Sequence, residues 1–184
     1  MPATVRQFVL QWGDMGNQWG VNRSVAQIHA LLYLSEQPLT AEDIADTLGL
    51  ARSNVSNSIR ELLSWKLIRR VPVFADRRDH FEAETDLLQM VTRIAQGRKE
   101  REIDPAAAAL HQVMREAERD PRISKTAIAR LRALQDFTDT LNHWYDQMLT
   151  VPPSKIMALI KMGARVVNLL NFGRSRSTRE DKAA

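Results

Sequence analysis

LTAEDIADTLGLARSNVSNSIRELLSWKLIRRVPVFADRRDHFEAE, running from Leu39 to Glu84, is the stretch that decides the fold. It reads as two short helices, a tight corner, and two strands joined by a charged tip. Thr40 is a good N-cap for the first helix, with Asp43 three residues on in capping-box position. Ile44, Ala45 and Leu48 fall on that helix's inner face, and Gly49 frees the backbone to turn. The second helix, roughly residues 52–66, divides by helical period. Val55, Ile59, Leu62 and Leu63 form one stripe, which must be core; Arg52, Ser53, Ser56, Asn57 and Arg60 form the opposite one. Ala51 stands where a capping residue is expected, so either Ser53 caps one turn later or the helix end has no cap.

Beyond the helix pair, residues 67–74 and 80–84 are rich in strand formers, and Pro72, which cannot donate to a ladder, suits an edge position. Ala75 to Asp79 reads as the turn between them, with Arg77 and Arg78 adjacent. A ribbon tipped with arginine fits a narrow minor groove, and the flanking acids Asp76 and Asp79 could hold the guanidinium groups by hydrogen bonds. The outer stripe of the second helix contains only short or planar hydrogen-bonding side chains and no acid. That composition suits base edges and phosphates, whereas an ordinary solvated face mixes Glu with Lys. The expected duplex contacts are Arg52, Ser53, Asn54, Ser56, Asn57, Arg60, Arg77 and Arg78, with Ser56 or Asn57 on bases and the arginines on phosphate or guanine.

The run from Trp19-Gly20-Val21-Asn22-Arg23-Ser24 through LLYLSEQPLTAEDIADTLGLARSNVSNSIRELLSWKLI to DRRDHFEAETD resembles the GbsR-type branch of the MarR regulators. The resemblance covers about half of the chain and departs from the pattern at Ala51. It implies a homodimeric winged-helix repressor or activator, gated in some members by a small effector, with several relatives tied to choline and betaine osmolyte genes.

The fold class expected is mainly α with a small two-stranded β-wing. A winged helix-turn-helix unit with N-terminal helices occupies residues 1–85, a helical dimerisation and effector region 86–172, and a basic disordered tail 173–184. A chain of 184 residues, 44% hydrophobic and 26% charged, can bury a real core. Its net charge of +4 favours a polyanionic partner. The excess is local, since residues 51–80 hold seven Lys or Arg against three acids. With no cysteine there is neither a disulfide framework nor a thiolate metal site, which fits a cytoplasmic protein. The N-terminus carries no basic-then-apolar signal.

Residues 4–19 place Val5, Phe8, Val9, Trp12, Met15 and Trp19 at helical spacing, interrupted late by Gly13 and Gly16. A second helix over 24–36 has Ser24 as cap and Val25, Ile28, Leu31, Leu32 and Leu34 inward, with His29 packed beside them. Past the wing, Thr85 and Asp86 open a long helical region. Asp104-Pro105 marks a cap and restart, and Ser124 opens a further helix whose seam runs through Ile128, Leu131, Leu134, Phe137, Leu141, Trp144 and Met148. Residues 155–172 are apolar on nearly every side apart from Lys155, Lys161 and Arg165. Three readings compete: a membrane span, which those cations argue against; a basic amphipathic helix on a membrane surface; and a dimer interface, the natural choice because a two-fold partner can cover such a helix. A cationic effector such as choline needs aromatic faces, and Trp12, Trp19, Trp144 and Tyr145 are the candidates; as ordinary core they need no ligand.

No catalytic arrangement emerges. His29, His80, His111 and His143 are scattered without metal-ligand spacing, and neither a glycine-rich phosphate loop nor a nucleophile elbow is present. Asp136, Asp139 and Asp146 read as the wet face of a helix. The expectation is a non-enzyme without metal or cofactor that binds double-stranded DNA as a homodimer. The alternative is a winged-helix scaffold that binds protein partners.

Overall fold

The structure, a computed structural model, describes residues 1–152 and 155–163. Pro153, Ser154, the end of the expected terminal helix and the whole basic tail lie outside the described residues. The chain divides into two compact units, Met1–Arg98 and a second beginning at Lys99.

The first unit contains α1 (Ala3–Gln18), α2 (Arg23–Leu34), β1 (Leu39–Thr40), α3 (Ala41–Leu48), α4 (Arg52–Ser64), β2 (Ile68–Val73), β3 (Asp76–Ala83) and α5 (Leu87–Arg98). Its core gathers one stripe from each helix: Val9 from α1, Ile28 from α2, Ile44 from α3, Val55 and Leu62 from α4, and Met90 from α5. Ile68 and Phe81 complete it from the sheet. α1 lies close on α2 because Gly16 carries no side chain; a Cβ there would sit 2.6 Å from that of Ala26. Gly13 does the same, since a Cβ there would sit 2.5 Å from Gln27 Cγ, so both glycines that interrupt the apolar stripe in sequence are points of helix contact.

α3 begins at the capping box. The Asp43 amide donates to Thr40 Oγ1 at 3.1 Å, and the Thr40 amide donates to the Asp43 carboxylate at 2.9 Å. The Thr40 hydrogen bonds hold the Asp43 carboxyl below its ordinary value. Gly49, at φ 64, closes the helix in the left-handed conformation. α4 then starts at Ala51 with no side-chain cap, Ser53 included. α2 is capped two residues earlier than expected: Asn22, not Ser24, accepts, taking the Ser24 amide at 2.9 Å. Leu34, expected inside, is 42% exposed.

The sheet has three antiparallel strands in the order β1-β3-β2, where two were expected. β1 is only two residues long, too short for a periodic signal, and pairs Leu39 with Phe81 and Thr40 with His80. β2 is the outer strand, as Pro72 requires. Its register runs Ile68↔Ala83 to Val71↔His80, then jumps to Val73↔Asp76. The jump brackets Pro72, whose missing N–H breaks the ladder and leaves Arg77, Arg78 and Asp79 bulged opposite it. The turn is therefore Phe74-Ala75, with Ala75 at φ 62, and the two arginines belong to β3 rather than to the tip.

α5 opens at Asp86, whose carboxylate accepts from the Leu88 and Gln89 amides. It packs with the first unit: Arg93 pairs with Glu84 at 2.9 Å, and Gly97 passes over Trp65 where a Cβ would meet the ring at 2.8 Å.

The second unit begins with a π-helical turn, Lys99–Ile103, and continues as α6 (Asp104–Arg119) and α7 (Lys125–Thr150). Asp104 caps nothing, because Ile103 ahead of it is already helical. Its carboxylate instead accepts from the buried Lys99, which also lies 3.0 Å from Asp146 of α7. Ser124 caps α7, accepting from the Ala127 amide at 3.1 Å. Ala107, Met114 and Ala117 are the buried contacts of α6. His111 joins it to α7 through Asp139 at 2.8 Å and Gln135 at 2.7 Å. Residues 155–163 are helical, and no described helix is long and apolar enough to cross a membrane.

Candidate nucleic-acid interface

α4 presents Arg52, Ser53, Ser56, Asn57 and Arg60 to solvent. Its first turn contains no acid and its N-terminus has no side-chain cap. The unsatisfied amides and the positive end of the helix dipole are thus left to attract anions. Arg60 donates to Asn57 Oδ1, one turn back, so those two side chains form a single polar unit. Asn54 stands apart. It is half-buried, its amide nitrogen donates to Ser24 Oγ at 2.9 Å, and its carbonyl oxygen accepts from Ser58 at 3.4 Å. Of the expected helix contacts it is the one turned toward α2.

The arginines of the wing differ from one another in environment. Arg78 is clamped on Asp76: Nε lies 3.1 Å from Oδ1 and Nη2 2.5 Å from Oδ2, and the Arg78 amide also donates to Oδ1. These bonds hold the Asp76 carboxyl far below the ordinary carboxylate range. Asp79, expected to hold its neighbours, instead pairs with Arg70 across the ribbon at 3.3 Å. Arg69 pairs with Glu82. Arg77 is exposed and makes no ion pair among the described residues.

Glu42 of α3 escaped the sequence reading. Its carboxylate lies 3.3 Å from Arg52 and 3.6 Å from Arg78, so one acid spans the start of α4 and the wing. Surface pairs of this kind add little stability, about 0–1 kcal/mol each. Their effect is to align two cations that belong to different elements. Nothing in the local sequence marks Glu42, because the pairing depends on how α3 meets the sheet.

The aromatic candidates separate. Trp12 and Trp19 line a cavity of about 200 Å³ in the first unit, together with Met15, His29, Glu61 and Trp65. Trp144 and Tyr145 belong to α7 of the second unit. Trp65, missed earlier, follows Leu62 by three residues and so continues the apolar stripe of α4. His29 is buried, with its pKa pushed down to about 4 by loss of hydration, and its Nε2 has no hydrogen-bond partner among the described residues. Among the described residues, no group of three or more His, Asp or Glu is placed to hold a metal ion.

Residues 19–79, which include the whole helix pair and the wing arginines, match the MarR family model. YvaV of Bacillus subtilis (strain 168), named as an HTH-type transcriptional regulator, is 22% identical over 82 residues, 45% of this chain and 46% of that protein. OpcR from the same organism, named as an HTH-type transcriptional repressor, is 21% identical over 71 residues, 39% of this chain and 38% of that protein. The matched part thus spans less than half the length of either relative. A crystal structure described as a transcriptional regulator superposes with a TM-score of 0.61 at 18% identity, covering 79% of this chain and 95% of that one. That likeness establishes the winged-helix fold with its long C-terminal helix.

Proposed function

We propose that this chain is a MarR-type transcriptional regulator of the GbsR-like branch, a homodimeric repressor that reads double-stranded DNA and carries out no reaction of its own. The observation that carries this reading is the acid-free outer face of α4, with Arg52, Ser56, Asn57 and Arg60 exposed beside a ribbon bearing Arg77 and Arg78. In a winged helix such a face enters the major groove while the wing lies alongside, and two copies read half-sites about 34 Å apart. The family match over residues 19–79 falls on this same surface, and the names of YvaV and OpcR support regulation and repression. The first unit then serves as the DNA-binding domain, and the helices of the second carry dimerisation.

A small cation fits the cavity as effector. Trp12, Trp19 and Trp65 offer ring faces to a quaternary ammonium group, in a lining that also includes Glu61 and His29. Glu61 and Trp65 lie on α4 and at its end, so an occupant would bear directly on the recognition helix. Tryptophan fluorescence titrated with choline and glycine betaine tests this, and a flat response through tens of millimolar removes the effector.

The DNA reading is tested by gel shift against genomic fragments at two salt concentrations. Binding with a preferred fragment and a steep loss of affinity at higher salt is expected. Absence of any shift at low salt would favour a scaffold that binds protein.

A further inference from the structure

The apex of the wing carries Phe74, 101% exposed; the next most exposed large apolar side chain among the described residues is Trp19 at 66%. An aromatic residue has no local reason to be there. Two-residue hairpin turns favour Gly, Asn and Asp, and here Phe74 is followed by Ala75 at φ 62 in a conformation that glycine would take without strain. The ring contributes nothing to the core and is held out from it. The support beneath it is firm. Val73 and Asp76 pair directly under the turn, Asp76 is clamped by Arg78, and Asp79 is tied to Arg70. Beside this tip stands Arg77, exposed and without an ion pair among the described residues.

A projecting apolar ring on a stiff ribbon, flanked by an uncommitted guanidinium, is the equipment with which proteins part a base step from the minor groove. We propose that Phe74 is such a wedge. With α4 seated in the major groove, the wing tip enters the adjacent minor groove, the ring slides between two base pairs and kinks the duplex, and Arg77 lies along the groove beside it. Parting a step is easiest at pyrimidine–purine steps. The wedge would therefore impose a preference for TA or CA/TG under each wing, without a hydrogen bond to either base. This inference rests on the DNA-binding reading above and adds to it a deformation of the duplex.

The test uses the full chain and a duplex recovered from a random library by selection with the wild-type protein. The duplex carries a dye at each end and a fluorescent adenine analogue at the step beneath the wing. Wild type is expected to shorten the end-to-end distance and brighten the analogue. Phe74→Ala, a change at a solvent-exposed turn that should leave the circular dichroism spectrum intact, should abolish both signals and weaken binding by about tenfold; Phe74→Leu should retain part of each. Equal kinking and brightening by Phe74→Ala would overturn the wedge, as would wild-type binding to an unbent duplex; both outcomes leave the major-groove reading standing. A Phe74→Ala defect in self-association with unchanged kinking would assign the ring to a second copy and also overturn the wedge. Failure of wild type to select any duplex overturns wedge and DNA reading together.

Discussion

His29 is buried among apolar neighbours on α2, and the loss of hydration lowers its pKa to about 4. In the unfolded chain the ring takes up a proton below about 6.5; in the folded chain it resists until about 4. Between these values the unfolded state binds more protons, so stability is full above the window and falls as pH falls through it. The loss is on the order of 3 kcal/mol. Urea melts from neutral pH down to the bottom of the window should show this decline in wild type and a flatter one in His29→Leu. Equal slopes in the two proteins would mean that His29 is hydrated in the fold. At this scale the sequence was partly legible. That His29 would be packed follows from its place beside Ile28 and Leu32, but that it lines a cavity depends on α1, α4 and α5 together. Trp65 and Glu42 are the same kind of case, since each takes its role from a partner distant in the chain.

At the scale of elements the two helices α3 and α4 begin differently. α3 has a complete capping box, whereas α4 starts at Ala51 with extended backbone (φ −62, ψ 139) that a capping side chain could use and none does. Ala51→Ser and Ala51→Asp should therefore stabilise the fold by roughly 0.5–2 kcal/mol, the usual gain for filling an N-cap. The two replacements should part company on DNA. Serine leaves the helix end neutral, whereas aspartate places a negative charge where a phosphate would sit. Thermal melts that rise for both, with gel-shift affinity reduced only for Ala51→Asp, are expected. Equal affinity for all three proteins would show that this helix end does not face the duplex backbone. Elements were the most legible level in the sequence. The capping box, the Gly49 corner, the Val55–Ile59–Leu62 stripe and the edge position of β2 all follow from local rules and are present. The wing tip was not legible, because the ladder slips at Pro72 and moves the turn from the arginines to Phe74-Ala75. β1 was not either, since two residues have no period to read.

At the scale of the molecule, α7 carries an apolar face that nothing described covers. Leu134, Phe137, Leu141 and Trp144, spaced by three and four, are 52%, 61%, 48% and 56% exposed. Met157, Ile160 and Met162 of the following helical segment are similarly open. Soluble monomers rarely leave so much contiguous apolar surface in water, and the seam-like spacing suits the same face of a second copy across a two-fold axis. Phe137→Lys combined with Leu141→Glu should convert a dimer into a monomer by light scattering while the helix signal persists, because α7 has no buried residue to lose. Losing the partner also severs the link between two reading heads. A linked pair gains roughly 10²–10⁴ in avidity over a single head, so operator affinity should collapse by about that factor while each head keeps its salt-dependent grip on any duplex. Wild type that scatters as a monomer at micromolar concentration would remove the two-fold arrangement. A monomeric variant that holds the operator as tightly as wild type would show instead that one head is sufficient, leaving the exposed face of α7 to some other partner.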